Sequence, residues 1–124
     1  MSRTVVVMFQ AQFAPLVKAK TKLQTVRPKR KRPVCVGDRL SLREWTGKPY
    51  RSKQRILCEA SCTKVQSIDI SKDRAIWLDD FRIKFRSEAE AFSRADGFAS
   101  PEAMHAWFEK THDMPFSGTV IHWE

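Results

Sequence analysis

Lys22 and Thr25 stand three residues apart and are followed at once by Val26 and Arg27. A threonine hydroxyl becomes a nucleophile only when a nearby base takes its proton, and lysine serves as that base only when neutral. Its pKa must then fall from about 10.4 toward neutrality, which partial burial and neighbouring cations both favour. Equally, the same two residues are a surface lysine and a strand threonine. The residues alone leave both readings open.

The chain then turns strongly cationic: Arg27-Pro28-Lys29-Arg30-Lys31-Arg32, ahead of a turn at Gly37-Asp38. Between Lys18 and Arg32 there are eight Lys or Arg residues and no acid. Unpaired charge at this density is too costly to bury, so the stretch belongs on the surface. It could be a phosphate-binding loop, a localisation tag or a merely solvated loop. Arg39, Arg43, Lys48, Arg51, Lys53 and Arg55 continue the same sign, which favours one continuous patch and a phosphate-bearing partner. Trp45 and Tyr50 lie within it and could stack bases, as aromatics beside basic grooves do for single strands, although Trp45 could equally pack inside. The expected contacts to single-stranded RNA or a nucleotide are therefore Arg27, Lys29, Arg30, Lys31, Arg32, Arg39, Arg43, Trp45, Lys48, Tyr50, Arg51 and Lys53. Trp77, Phe81, Phe85, Phe92, Trp107, Phe108 and Trp123 read as core.

Other chemistries find little support. Cys58 and Cys62 lack a second pair at zinc-ligand spacing, and His105 and His112 lie outside any His-Glu-x-x-His pattern. No metal or cofactor is expected. With four glycines in 124 residues, neither a phosphate-cradling glycine loop nor a dinucleotide-binding turn can be drawn. Serine-hydrolase motifs are absent.

Composition bounds the rest. A chain of 124 residues with a hydrophobic fraction of 42% forms a single domain, 1–124, with one modest core. The net charge of +9 is concentrated in residues 18–55, which alone carry a balance of +12. An anion docking there would gain counterion release and steering. Three cysteines, an odd count, point to a reducing compartment. No apolar run approaches the roughly 20 residues that span a bilayer, and the start lacks a signal-peptide pattern. A cytoplasmic protein without a membrane partner is the expectation.

The elements that would position these residues can be read from pattern. Arg3–Phe9, rich in valine, predicts a strand buried on both faces. Phe13, Leu16 and Val17 predict a short helix ending near Lys20, with Pro15 in its first turn. Pro28 and Pro33 bracket an extended, exposed loop. Arg39–Trp45 alternates as a half-buried strand, and Thr46–Lys53 connects it to a strand over Ile56–Val65 with Ile56, Cys58, Ala60 and Cys62 on one face. Asp79-Asp80 predicts a hairpin with Phe81, Ile83 and Phe85 inward. Ser87 and Glu90 read as a capping box, Asp96-Gly97 as a helix end, and Ser100-Pro101 as a new start leading to Met104, Trp107 and Phe108 on one face. Gly118–Trp123 closes the chain as a strand. The sum is a small α+β domain of five to six strands with about three short helices, drawn together as a compact barrel.

Lys22-x-x-Thr25-Val26-Arg27, then Gly37-Asp38-Arg39-Leu40, then Asp96-Gly97-Phe98 ahead of Trp107 resemble, in order and spacing, the ASCH domain family (activating signal cointegrator homology). The chain looks like its small stand-alone bacterial or phage members. The resemblance implies a PUA-like barrel of mostly antiparallel strands with a cleft beside the Lys-x-x-Thr segment, suited to RNA or a nucleotide. It also implies an alternative, since some small members are amidohydrolases of N-acetylated cytidine and others look like ribonucleases. Lys22, Thr25 and Asp96 are the matching catalytic positions. Aspartate here replaces the family's glutamate, and the shorter side chain withdraws its carboxylate by about an ångström, enough to disturb a catalytic alignment. Two classes thus stand side by side: a cationic binding module for RNA or a nucleotide, which the local charge favours, and a hydrolase of a modified nucleoside. A weaker third is an accessory protein that meets an acidic partner surface.

Overall fold

The structure, a computed structural model, describes residues 3–124. The elements in chain order are β1 (Thr4–Phe9), α1 (Ala14–Lys18), β2 (Gln24–Pro28), β3 (Arg39–Trp45), β4 (Gln54–Ile70), β5 (Ile76–Leu78), β6 (Phe81–Arg82), α2 (Arg86–Ala95), α3 (Pro101–Thr111) and β7 (Phe116–Trp123). The domain is α+β, as expected. Its seven strands form one mixed sheet, one or two more than the chain pattern revealed. Among the described residues no helix is long and apolar enough to cross a membrane.

β4 organises the sheet because its 17 residues serve two partners in succession. Its first half pairs antiparallel with β3, which in turn carries β1 in parallel register, Val5 opposite Leu40 and Phe9 opposite Glu44. Its second half pairs antiparallel with β7, beyond which lies β2, while its other edge carries β5 and then β6.

The sheet does not close into the expected barrel. β1 and β2 end the two arms facing each other, and arginines span the gap in place of backbone pairing. The Arg27 guanidinium donates to the Met8 carbonyl at 2.5 Å and Arg30 to the Val6 carbonyl at 3.3 Å. Pro28 ends β2 without an N–H to offer a neighbour.

Two buried clusters fill the interior. Val5, Val7, Phe9, Phe13, Leu40 and Trp123 belong to one; Val26, Ile68, Ile70, Met104, Phe108 and Val120 belong to the other. Phe98 and Trp107, each half-buried, pack against both.

Local departures have local causes. β1 is not buried on both faces; it alternates, and Val6 is 37% exposed on the outer side. In β4 a bulge opposite Leu42/Arg43 inserts Leu57 as an extra residue. It turns Ile56 outward and packs Leu57 on the core instead, because one extra residue inverts a period-2 pattern. Phe81 and Phe85 are exposed, at 79% and 67%. β6 is only two residues long and projects past the core behind a turn in which Asp79 and Asp80 both have positive φ; only Ile83 folds inward. The Ser87 capping box does not form. α2 starts earlier, with Phe85 as its N-cap and no side-chain cap, and Glu90 pairs with Arg86 and Arg94 along the helix. Ser100 does cap α3, accepting from the Ala103 N–H at 3.1 Å.

Candidate functional site

The gap between β1 and β2 opens into a cleft of about 420 Å³. Its lining comes from the end of β1, the approach to α1, β2, the turn after α2 and the last turn of α3. At its floor is an ion pair that sequence distance conceals. Lys22 and Asp96 are each 3% exposed; the Lys22 Nζ lies 3.3 Å from Asp96 Oδ1 and also donates to the Asp96 carbonyl oxygen.

Helix termination places the acid. Asp96 is the C-cap of α2, and Gly97 follows at φ +93°, a left-handed conformation that side chains avoid. A Cβ on Gly97 would sit 3.2 Å from both Lys22 Cδ and Phe13 Cδ1 and 3.3 Å from Leu16 Cδ1. The glycine therefore serves two needs, the turn and the close approach of the lysine stem. α1 supplies the other wall: Phe13 precedes it, and its ring centroid is 5.0 Å from the Lys22 ammonium, a distance at which a cation is attracted to a ring face.

Burial dominates the electrostatics. It pushes Asp96 up to about 6 against the pull of Lys22 and Arg27. It also lowers Lys22, with Asp96 drawing it part of the way back and Arg27 adding a push downward. Arg27 falls to about 10, again chiefly through burial. Two oppositely charged groups brought toward neutral water's pH in one recess are the condition for proton exchange with a ligand. Gln24 is also buried, and its Nε2 has no hydrogen-bond partner among the described residues.

Thr25 lines the same cleft. Its hydroxyl oxygen accepts from Arg27 Nε at 3.1 Å, and among the described residues no hydrogen bond joins it to Lys22 or Asp96. The three candidates therefore share one recess, but only the lysine and the aspartate touch. Arg27 is the organising side chain of this wall: it fixes the threonine, bonds Met8 and lies 4.8 Å over the Phe9 ring.

Of the twelve residues expected to bind nucleic acid, Arg27 alone lines the cleft. The others lie outside it. Lys29, Arg30, Lys31 and Arg32 are exposed on the loop leading away from β2. Arg43 and Arg39 stand opposite Met8 and Thr4 on β3. β1 is thus flanked by Arg27 and Arg30 on one side and by Arg43 and Arg39 on the other. Arg39 is partly neutralised by Glu59 at 3.2 Å, whereas Arg43, among the described residues, bonds only the neutral Ser41 and Gln54. Trp45 is half-buried and meets Tyr50, ring centroids 5.1 Å apart, at the β3–β4 hairpin. Tyr50 is 89% exposed. Lys48, Arg51 and Lys53 share that hairpin and form no salt bridge among the described residues.

Several lining residues escaped the sequence reading. Phe98, Trp107, Thr111 and His112 face the cleft, although Trp107 read as simple core and His112 only as a metal ligand to be dismissed. Trp107 and Thr111 share a face by helical spacing, a signal that was present. Nothing in the sequence marks His112, whose ring lies 5.5 Å from Phe108 and 4.9 Å from Phe116. Burial, and to a lesser degree Arg27, lower its pKa. Among the described residues no cluster of three or more His, Cys, Asp or Glu is arranged to hold a metal. Comparison with family models, curated proteins and solved structures finds no match for this chain.

Proposed function

We propose that the protein binds single-stranded RNA or a nucleotide, with one unpaired base entering the cleft between β1 and β2. The observation that carries this reading is the Lys22–Asp96 pair buried at the foot of a recess walled by Phe9, Phe13, Phe98 and Trp107. A base is planar, edged with donors and acceptors, and stacks on aromatic rings. The recess offers rings for the faces and the charged Lys22–Asp96 pair for the edge. Its volume falls within the range of about 300–1,000 Å³ usual for small-ligand sites. The arginines on both sides of β1 and the cationic hairpin at Tyr50 would meet the flanking phosphates. Such a binding mode also agrees with the resemblance to the ASCH family, which rests on the same residues.

A second reading draws on Thr25. Because it lies in the cleft with Lys22 and Asp96, an N-acylated base held there could be deacylated. The Thr25 oxygen would attack the amide carbonyl as its proton passes to neutral Lys22, the base amine would leave carrying that proton, and water would hydrolyse the threonyl ester. The unmade Thr25–Lys22 hydrogen bond ranks this second, and the local charge has no use in a reaction on an uncharged nucleoside.

The test is fluorescence anisotropy with a labelled single-stranded RNA across a salt series, with free nucleosides as competitors. Binding should weaken with a log–log slope of about −0.7 per phosphate contacted, and Lys22→Met should abolish base competition. An affinity indifferent to salt, or a Lys22→Met protein as competent as the parent, would sink the proposal. The two readings part at Thr25→Val, which should keep binding under either but lose release of acetate from N-acetylcytidine under the second.

A further inference from the structure

Away from the cleft, a smaller recess of about 210 Å³ opens where the β5–β6 hairpin meets the starts of α2 and α3. Arg74, Arg82, Lys84 and Arg86 all line it, with Phe85 at the rim and His105 within. Among the described residues Asp73 is the one acid in the lining, and it is turned into its own loop, accepting from the Ser71 hydroxyl and the Ala75 N–H. Glu109 fixes Arg74, and Glu90 and Glu102 fix Arg86, all three from outside the lining. Arg82, which acts electrostatically on Asp73 and lies 6.0 Å over the Trp77 ring, and Lys84 form no salt bridge among the described residues.

Two independent features converge on this recess. The first is the uncapped start of α2. Phe85 is extended there and offers no side-chain cap, and its carbonyl accepts from Glu88 and Ala89. The Arg86 and Ser87 amides are left without an acceptor among the described residues. Such amides, at the positive end of a helix, are suited to hold an anion. The second is His105. It is only 7% exposed, lines the recess, and makes no side-chain hydrogen bond among the described residues. Its ring nitrogens are not sealed from solvent, since Gln24 Nε2 is the one buried side-chain nitrogen or oxygen without a partner among the described residues. A neutral imidazole keeps one N–H to donate, so His105 can serve an anion without first gaining a proton.

From this placement we propose that the recess is a binding site for a phosphate-class anion, held by the free Arg86 amide at the start of α2, Arg82, Lys84 and His105. Its volume suits a phosphate or pyrophosphate group, and the exposed Phe85 ring beside it would lie against whatever the phosphate is attached to. The site is separate from the cleft and shares no lining residue with it.

The experiment is an amide- and imidazole-detected NMR titration of the full chain with inorganic phosphate and with pyrophosphate at constant ionic strength. The expected result is saturable shifts at the Arg86 amide and the His105 ring, with little change at Lys22 or Asp96. The Arg82→Ala/Lys84→Ala double variant, altered at exposed positions and safe to fold, should weaken binding tenfold or more. Shifts scattered over all exposed lysines, or an unweakened double variant, would overturn the assignment. Oligonucleotides with a 5′-phosphate or a 5′-hydroxyl then distinguish the sources. Tighter binding of the phosphorylated strand, lost in the double variant, identifies a polynucleotide end, while equal binding of both with retained pyrophosphate affinity identifies a small free anion. Saturating free nucleoside, the competitor for the cleft, should leave all of these shifts intact, so failure here and failure of the cleft reading give different patterns.

Discussion

Lys22 and Asp96, 74 residues apart in the chain, are locked together at 3.3 Å in the floor of the cleft, almost wholly removed from solvent. Among the described residues neither forms a second salt bridge, so each depends on the other. Removing one member of a buried pair strands the remaining charge, at a cost of about 3–5 kcal/mol. Lys22→Met and Asp96→Asn should each lower stability by about that much, whereas the double variant should lose less than the sum. Urea unfolding of the four proteins measures the coupling, and strict additivity would show that the pair does not form.

Asp96 also makes stability depend on pH in an uncommon direction. Its carboxyl is raised in the folded state to about 6 from an ordinary 3.8. Between those values the folded protein holds more proton than the unfolded chain, so the Asp96 contribution weakens as pH rises from about 4 to about 6. Asp38, Asp73 and Glu102 are shifted downward and act in the opposite sense at lower pH. The difference between parent and Asp96→Asn isolates the effect: the gap in urea midpoint should change across pH 4–6, and a constant gap would contradict the assigned burial.

Gly97→Ala places a methyl group against Lys22 and Phe13 at 3.2 Å in a left-handed backbone. The backbone strain alone costs on the order of 1–3 kcal/mol, and relief by moving the lysine stem would open the ion pair. Lower stability together with poorer base competition in the RNA assay is expected. Loss of stability with an unchanged cleft would mean that the glycine serves only the turn.

Arg27→Lys keeps the charge but removes the fork that reaches Thr25 and Met8 together. The β1 and β2 edges should loosen, which amide hydrogen exchange would register as faster exchange at both free edges and a smaller change in β3 and β4. Uniform exchange behaviour in parent and variant would show that the arginine does not hold the arms together.

Tyr50→Ala tests the flank without touching the fold. At 89% exposure the ring contributes little to stability, within about 0.5 kcal/mol. Stacking on a base is worth about 1–3 kcal/mol, so single-stranded RNA should bind roughly 5- to 150-fold more weakly. Unchanged affinity would place the bound strand away from the hairpin.

The sequence by itself determined the pieces governed by short-range rules. The strand Arg39–Trp45 announced itself by alternation, the stop at Asp96-Gly97 by the backbone that glycine permits, and the Ser100-Pro101 start by capping. The cost of burying charge put all of Lys18–Arg32 on the surface; this holds for Lys29–Arg32 but fails for Lys22, which is buried with Asp96 as its partner. Lys22 and Thr25 were visible as chemistry, and Asp96 only through a family likeness. Tertiary structure alone decided which of them meet. A single bulge residue, Leu57, turned Ile56 outward, while Cys58, Ala60 and Cys62 kept the one face that alternation assigned them. Two strand edges were left apart, with arginine side chains between them, so the barrel stayed open and a cleft took the place of a seam. That outcome depends on the summed packing of seven strands and three helices, and no local pattern contains it. The same long-range packing removed water from Lys22 and Asp96 and so gave an ordinary lysine and aspartate their altered acidity.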